Sequence, residues 1–115
     1  MASLTVDVDG FTWNIDDSGA GPAVVLCHGF PGLGYSFRHQ SAALAGAGYR
    51  AIAPDMPGYG GTDRPAGVEQ YTAVATADRL VGLLDALRIA RAVCVGHDFG
   101  APSAWTTALR HPSRV

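Results

Sequence analysis

The 115-residue sequence contains no lysine, a single glutamate and only two cysteines. All eight basic residues are arginines, none of them clusters, and the formal net charge is -2. Binding to nucleic acid or to an anionic membrane needs concentrated positive charge, so we expect neither partner. Cys27 and Cys94 are too few for a disulfide framework or a metal site, and both are expected to pack as small buried thiols.

The sequence also lacks long apolar runs and a leader-like start. No stretch approaches the roughly 20 apolar residues that cross a bilayer, and residues 1–7 contain neither a basic nor an apolar segment. We therefore expect a cytoplasmic protein without membrane contact. The composition, 48% hydrophobic and 16% charged, is ordinary for a globular domain.

Apolar patterning predicts five strands. Residues 4–8 and 11–15 alternate apolar and polar side chains around Asp9-Gly10, which is typical of a β-hairpin. Residues 17–22 are rich in glycine and are expected to be irregular. Three short continuous apolar runs follow, of the kind buried in parallel sheets. They cover residues 23–27, 49–54 and 92–95.

Three helices separate and follow these runs. They are predicted over residues 36–47, from the capping residue Thr72 through Leu87, and over 101–109, where His111-Pro112 ends the last one. The expected fold class is α/β: a hairpin followed by β-α-β-α-β-α, with a mostly parallel sheet. In such sheets ligands bind at the carboxyl ends of the strands.

One strand end runs through a glycine-flanked turn directly into a helix. Its sequence, residues 96–100, is Gly-His-Asp-Phe-Gly, the layout of a nucleophile elbow. Such a turn needs almost side-chain-free neighbours two residues before and after its centre, and Gly96 and Gly100 meet this need. Asp98 is the residue presented at the helix N-terminus, where the carboxylate form is favoured. The alternative is that Asp98 only caps the helix.

A second motif lies at the end of an adjacent strand and favours the catalytic interpretation. His28-Gly29-Phe30-Pro31 follows the run 23–27, and this topology brings its loop beside the turn at Asp98. The backbone amides of Phe30 and Phe99 are then predicted to form an oxyanion hole. A plain Gly-Pro turn is the alternative interpretation of this loop. Neither His28 nor His97 has a second ligand at metal spacing, so we expect no metal.

Taken together, these motifs resemble the α/β-hydrolase superfamily and, within it, the epoxide hydrolases. The resembling segments are residues 28–31, 35–40, 45–50, Asp55 with 58–60, and 96–102 with 104–105. The resemblance implies a small epoxide substrate, no cofactor, and a covalent mechanism in which Asp98 attacks an epoxide carbon. The ester so formed would give a diol on hydrolysis. Supporting roles in the loop and the turn fall to His28, Gly29, Pro31, Gly96, His97 and Gly100.

Several positions depart from the epoxide-hydrolase pattern. Gly34 and Phe37 replace tryptophans, Pro57 replaces an arginine, and Phe99 stands where tryptophan usually follows the nucleophile. Haloalkane dehalogenases share the aspartate nucleophile but hold the halide with an indole N–H there, which phenylalanine lacks. Phe99 therefore argues against a haloalkane dehalogenase, which stays only as the alternative activity. Asp55, at a strand end, is predicted to anchor its loop through side-chain to backbone hydrogen bonds.

The sequence after Asp98 contains no carboxylate and no candidate for an oriented histidine base. Relatives carry that base, its acid partner and two cap tyrosines far downstream. We therefore expect residues 1–115 to be part of an α/β-hydrolase core domain, without cap and C-terminal part, and inactive alone. The alternative function is that of a non-catalytic half-domain. Without a further strand beside it, the strand 92–95 would form an exposed apolar edge, and we expect the chain to associate through this edge.

Overall fold

The computed structural model describes residues 3–115. Met1 and Ala2, the start of the segment compared above with a leader, lie outside the described residues. The strands are β1 (Ser3–Val8), β2 (Phe11–Gly19), β3 (Ala23–Cys27), β4 (Arg50–Pro54) and β5 (Ala92–Gly96). The α-helices are α1 (Arg38–Gly46), α2 (Ala73–Ala86) and α3 (Gly100–Arg110), and short 3-10 helices cover Gly34–Phe37 and Val68–Tyr71.

The five strands form one mixed sheet in the order β1-β2-β4-β3-β5. β2 pairs antiparallel with β1 and with β4, whereas β3 pairs parallel with β4 and with β5. The predicted α/β class is confirmed, and the parallel part of the sheet is confined to β4, β3 and β5. The carboxyl ends of β3 and β5 are therefore adjacent at one edge of the sheet.

β2 is longer than the sequence predicts. The hairpin turn itself is as expected, because Asp9 and Gly10 have φ angles of 50° and 84°. The prediction that residues 17–19 are irregular is wrong, since β2 continues to Gly19 and pairs there with β4. A salt bridge of 2.7 Å from Arg50 to Asp17 ties the two strands together at this point. Long-range pairing thus overrides a locally turn-like composition.

The helices cover both faces of the sheet. Residues of β3 alternate between the faces, with Val25 and Cys27 in the larger core cluster and Val24 and Leu26 in the smaller one. α2 contributes leucines to the larger cluster, and α1 packs against the smaller one. Thr72 caps α2 as predicted, accepting a hydrogen bond of 3.1 Å from the amide of Ala75.

The two cysteines behave as packing residues. Cys27 is fully buried and Cys94 is partly buried, and neither forms a disulfide. Burial raises the pKa of the Cys94 thiol to about 11 and raises that of Cys27 as well. Both side chains are therefore protonated, unreactive thiols at neutral pH.

β5 lies at the edge of the sheet and exposes apolar side chains. Val93 is 60% exposed and Val95 40% exposed on the strand, and the adjacent α3 carries Trp105 and Leu109 at 73% and 78% exposure. The position of this strand agrees with the predicted exposed edge. Among residues 3–115, no helix is long and apolar enough to cross a membrane.

Candidate active site

Asp98 lies at the centre of the tight turn between β5 and α3. Its φ angle is 56°, in the left-handed region that non-glycine residues rarely adopt. The turn requires a glycine on each side: a Cβ on Gly96 would overlap the carbonyl oxygen of Gly100, and a Cβ on Gly100 would overlap that of Cys27. Asp98 therefore lies in a turn between a strand and a helix, as its sequence context predicts.

The loop after β3 packs directly against this turn. A Cβ on Gly29 would overlap the Cβ of Asp98 and lie 2.8 Å from its Oδ2 atom, so only glycine fits there. The amide of the next residue, Phe30, donates a hydrogen bond of 3.0 Å to Asp98 Oδ2. The peptide bond between Phe30 and Pro31 is cis. The two predicted motifs are thus joined through the carboxylate.

The carboxyl group of Asp98 is held in its ionised form. Backbone hydrogen bonds from Phe30 and then Phe99 lower its pKa below the ordinary value, and the charge of His97 adds to this effect. The cause is that N–H donors stabilise the carboxylate and not the neutral acid. Phe99 occupies the N-cap position of α3, and its side chain makes no capping hydrogen bond. Asp98 therefore reaches across to the neighbouring loop instead of acting as a simple cap.

His28 is buried, and hydrogen bonds from its neighbours set the tautomer of its ring. The amide of Met56 donates a hydrogen bond of 2.9 Å to Nε2, so this nitrogen carries no proton. Nδ1 then carries the proton and donates to the carbonyl oxygen of Gly29 at 2.8 Å. The ring also packs edge-on against Tyr59 at a centroid distance of 5.0 Å. Both nitrogens are occupied, so His28 shapes the loop and is not available to transfer protons.

His97 is exposed, and its backbone contributes to the turn. Its amide donates to the carbonyl oxygen of Cys27 at 3.1 Å, and its own carbonyl oxygen accepts from Gly100 at 2.9 Å. These bonds fasten the end of β5 to the end of β3. In the part of the chain that the structure describes, no group of three or more histidine, cysteine, aspartate or glutamate side chains is arranged to hold a metal ion.

Asp55 anchors the loop after β4, as its position predicts. Its Oδ1 accepts a hydrogen bond of 2.9 Å from the amide of Gly34, and its Oδ2 accepts from the side chain of Asn14 and the amide of Gly61. The Thr62 hydroxyl also holds this loop, because it donates a hydrogen bond of 2.6 Å to the backbone oxygen of Asp55. Sequence analysis missed Asn14 and Thr62, because neither belongs to a local motif around Asp55.

A cavity of about 290 Å³ adjoins the Asp98 turn on the side of α2 and α3. Gly29 and Phe99 form its wall nearest to Asp98, and Met56, Pro57 and Tyr59 contribute further apolar surface. The side chains of Tyr71, Thr76, Pro102 and Ser103 complete much of the lining. Sequence analysis did not single out Thr76 or Ser103, which read as ordinary helix residues. We call this cavity the alcove.

The fold and the turn at Asp98 define a class of protein. A family model described as "alpha/beta hydrolase fold" matches residues 22–115. The chain therefore belongs to the α/β-hydrolase fold family, as its motifs imply.

Within this family the chain is similar to epoxide hydrolases. It is 52% identical over 109 residues to an epoxide hydrolase of Caballeronia sordidicola, with 95% of this chain and 33% of the relative covered. Epoxide hydrolase A of Mycobacterium tuberculosis is 48% identical over 112 residues, covering 96% and 35%. The solved structure of an epoxide hydrolase from an endophytic Streptomyces superposes with a TM-score of 0.95 at 42% identity, covering 98% and 34%. The chain thus spans about a third of the length of these relatives.

Proposed function

We propose that this chain supplies the nucleophile-bearing part of an epoxide hydrolase, with Asp98 as the nucleophile. The observation that carries the proposal is the contact between the Phe30 amide and Asp98 Oδ2. It places an ionised carboxylate at a strand-to-helix turn, with one oxygen already held by a backbone donor. The similarity to curated epoxide hydrolases supports the substrate class.

In the first step, the other oxygen of Asp98 attacks an epoxide carbon. A new bond forms between that oxygen and the carbon, the ring C–O bond breaks, and its electron pair passes to the ring oxygen, which then takes a proton. Asp98 suits this step because a carboxylate displaces a leaving group from an sp3 carbon and its lowered pKa keeps it ionised. We assign the proton source to tyrosines of a cap outside residues 1–115, as the resemblance implies.

In the second step, water attacks the carbonyl carbon of the ester and negative charge develops on its oxygen. The amide of Phe30 already donates to the carboxyl group, and the amide of Phe99 also lowers the pKa of Asp98. We assign these two amides to the stabilisation of this oxyanion. The water needs a general base, and His28, which is buried beside the site, has both ring nitrogens engaged. We therefore place the base and its acid partner beyond Val115 and regard residues 1–115 as part of a larger catalytic domain.

The covalent mechanism predicts where solvent oxygen goes. In a first turnover in heavy-oxygen water, with the full-length gene product in excess over an aryl epoxide, the new diol oxygen should come from Asp98. The label should appear in the carboxyl group of the Asp98 peptide. Mass spectrometry of the diol and of the peptide measures both. Label in the diol with none in the peptide would mean direct attack by water.

The geometry disfavours the dehalogenase alternative. A leaving halide needs N–H or O–H donors around the nucleophile, and the side chains of Phe30 and Phe99 provide none. Their backbone amides are directed at Asp98 itself. The epoxide oxygen, in contrast, leaves as an alkoxide that can be protonated by a donor above the site.

The lowered pKa of Asp98 predicts an acid-resistant nucleophile. Attack needs the carboxylate, and an ordinary aspartate becomes protonated near pH 4. Since the backbone hydrogen bonds lower this pKa, the rate of ester formation should be constant from pH 7 to about pH 5. It should fall only below the ordinary pKa of about 4. Rapid quenching of single turnovers across this range measures the profile; a half-loss near pH 6 would contradict it.

We also propose that residues 1–115, expressed alone, associate through the edge at β5. The strand has unpaired backbone groups beside exposed valines, and such edges recruit other chains. Sedimentation of the isolated chain should show dimers or larger species. Val93→Lys, which places charge on the edge, should shift the population toward monomer, whereas Thr5→Lys on the opposite edge strand serves as the control. A monodisperse monomer at micromolar concentration would contradict the proposal.

The two unpaired thiols agree with a reducing compartment. We therefore propose that the protein works in the cytoplasm. The substrate that we propose is a small epoxide, and the proposed reaction uses no cofactor.

A further inference from the structure

The alcove contains two buried hydroxyl groups that the proposed reaction does not use. Thr76 is the fourth residue of α2 and Ser103 the fourth of α3, and their residues are only 6% and 7% exposed. Both line the alcove. Among the described residues, no hydrogen bond engages either side-chain oxygen, whereas the nearby Thr107 hydroxyl donates to a backbone oxygen at 2.7 Å. Two polar groups are thus left facing an otherwise largely apolar space.

Hydroxyl groups in such a place can bind whatever enters the alcove. Both oxygens remain accessible from the alcove, because neither belongs to the fully enclosed side-chain atoms without a partner, of which Ser41 Oγ is one. Valine and alanine would give these two positions a similar shape without a polar group. The hydroxyls therefore point to a ligand oxygen or to water inside the alcove.

The surrounding electrostatics favour an oxygen atom over a cation. The N-terminal turns of α2 and α3 converge on the alcove, since Ala73 and Phe99 both line it. Helix N-termini carry partial positive charge and attract electron-rich groups. Tyr59, Tyr71 and His28 also line the alcove. The Tyr71 hydroxyl already donates to the carbonyl oxygen of Pro65 at 2.7 Å, and both ring nitrogens of His28 are engaged.

The size of the alcove sets the scale of the occupant. An apolar cavity of about 150 Å³ holds benzene, so about 290 Å³ accommodates an aromatic ring with a small substituent. The wall formed by Gly29 adjoins the Asp98 carboxyl group, because a Cβ there would lie 2.8 Å from Oδ2. A group seated in the alcove would therefore lie beside the Asp98 turn, close enough to be a substituent of the epoxide that Asp98 attacks.

We propose that the alcove binds the substituent of the epoxide, and that Thr76 and Ser103 select a ring-sized apolar group bearing a hydroxyl or ether oxygen. This inference rests on the proposed function, because it takes Asp98 as the point of attack. The substrate class is then the oxygen-substituted aryl epoxides. The apolar walls hold the ring, and the two helix hydroxyls bind the oxygen at its far end.

The matched probes p-cresol and p-xylene test this selection, since they differ only by a hydroxyl in place of a methyl group. Ligand-observed saturation-transfer titration with the 115-residue chain gives their relative affinities, and it works for associated as well as monomeric protein. Without a hydrogen-bond partner, the more apolar p-xylene binds better to an apolar cavity. We expect the unmodified chain to prefer p-cresol about 2- to 10-fold, the range that one net hydrogen bond provides.

Substitutions assign the preference to the two hydroxyls. Thr76→Val combined with Ser103→Ala should reverse it in favour of p-xylene, whereas Thr76→Ser, which keeps a hydroxyl, should retain it. Thr106→Val, on α3 but outside the alcove lining, is the matched control and should also retain it. Circular dichroism checks that each variant is folded; if the double variant is not, the single Ser103→Ala change should still lower the preference.

Two outcomes would overturn the inference: preference of the unmodified chain for p-xylene, which would mean that only water meets the hydroxyls, and a p-cresol preference that survives the double substitution. Neither probe contains an epoxide, so the result does not depend on the chemistry of Asp98. A failed oxygen-label experiment with the p-cresol preference intact would therefore refute the hydrolase proposal alone. The reverse combination would refute the selection by Thr76 and Ser103 alone.

Discussion

Asp98→Ala in the full-length gene product should lower the rate of epoxide hydrolysis by about 10⁴-fold or more, the effect seen when a covalent nucleophile is removed. The reason is that Asp55, which follows the parallel strand β4, does not take the place of Asp98, because its carboxylate is committed to Asn14, Gly34 and Gly61. Steady-state diol formation from an aryl epoxide measures the effect.

His97→Ala is the matched control for this substitution. His97 is the exposed neighbour of Asp98, and its charge is the smallest of the influences that lower the pKa of that residue. Its backbone bonds to Cys27 and Gly100 survive the change. Activity should fall no more than several-fold. Comparable losses in the two variants, or a folded Asp98→Ala enzyme with substantial turnover, would exclude Asp98 as the nucleophile.

The arrangement around Asp98 could be predicted from sequence because sterics leave few choices there. Gly96 and Gly100 are required by close backbone approaches within one turn, and the spacing of the two glycines around Asp98 is visible in the sequence. Gly29 follows from a contact between two loops, yet it lies in a motif at a strand end and so was also found. What each of these residues does in catalysis remains a prediction that the proposed experiments test.

Other features depend on contacts between segments that are distant in the sequence. The length of β2 is decided by its pairing with β4, which no pattern within residues 17–19 reveals. The tautomer of His28 is set by the amide of Met56, in the loop after another strand. Thr76 and Ser103 meet in the alcove only because α2 packs against α3. Each of these findings needed the fold and not only the motif.

Gly100→Ala should destabilise the chain strongly, by about 3 kcal/mol, which is at the upper end of the cost of overpacking a buried position. A Cβ at this position would overlap the carbonyl oxygen of Cys27 and lie 2.7 Å from that of His28. Both contacts are to backbone atoms, at the end of β3 and the start of the loop after it, which cannot rotate away as a side chain can. Relief of the clash must separate α3 from the end of β3 and with it Asp98 from Phe30.

Gly46→Ala is the control, because a Cβ on Gly46 meets nothing within 4 Å and this residue ends α1. Alanine has the higher helix propensity, so this variant should be unchanged or stabilised by up to about 1 kcal/mol. Urea unfolding followed by tryptophan fluorescence measures both variants, since Trp13 is fully buried and changes environment on unfolding. Equal stabilities of the two variants would mean that the loop after β3 does not pack against the turn as described, and the assignment of Phe30 to the site would fail with it.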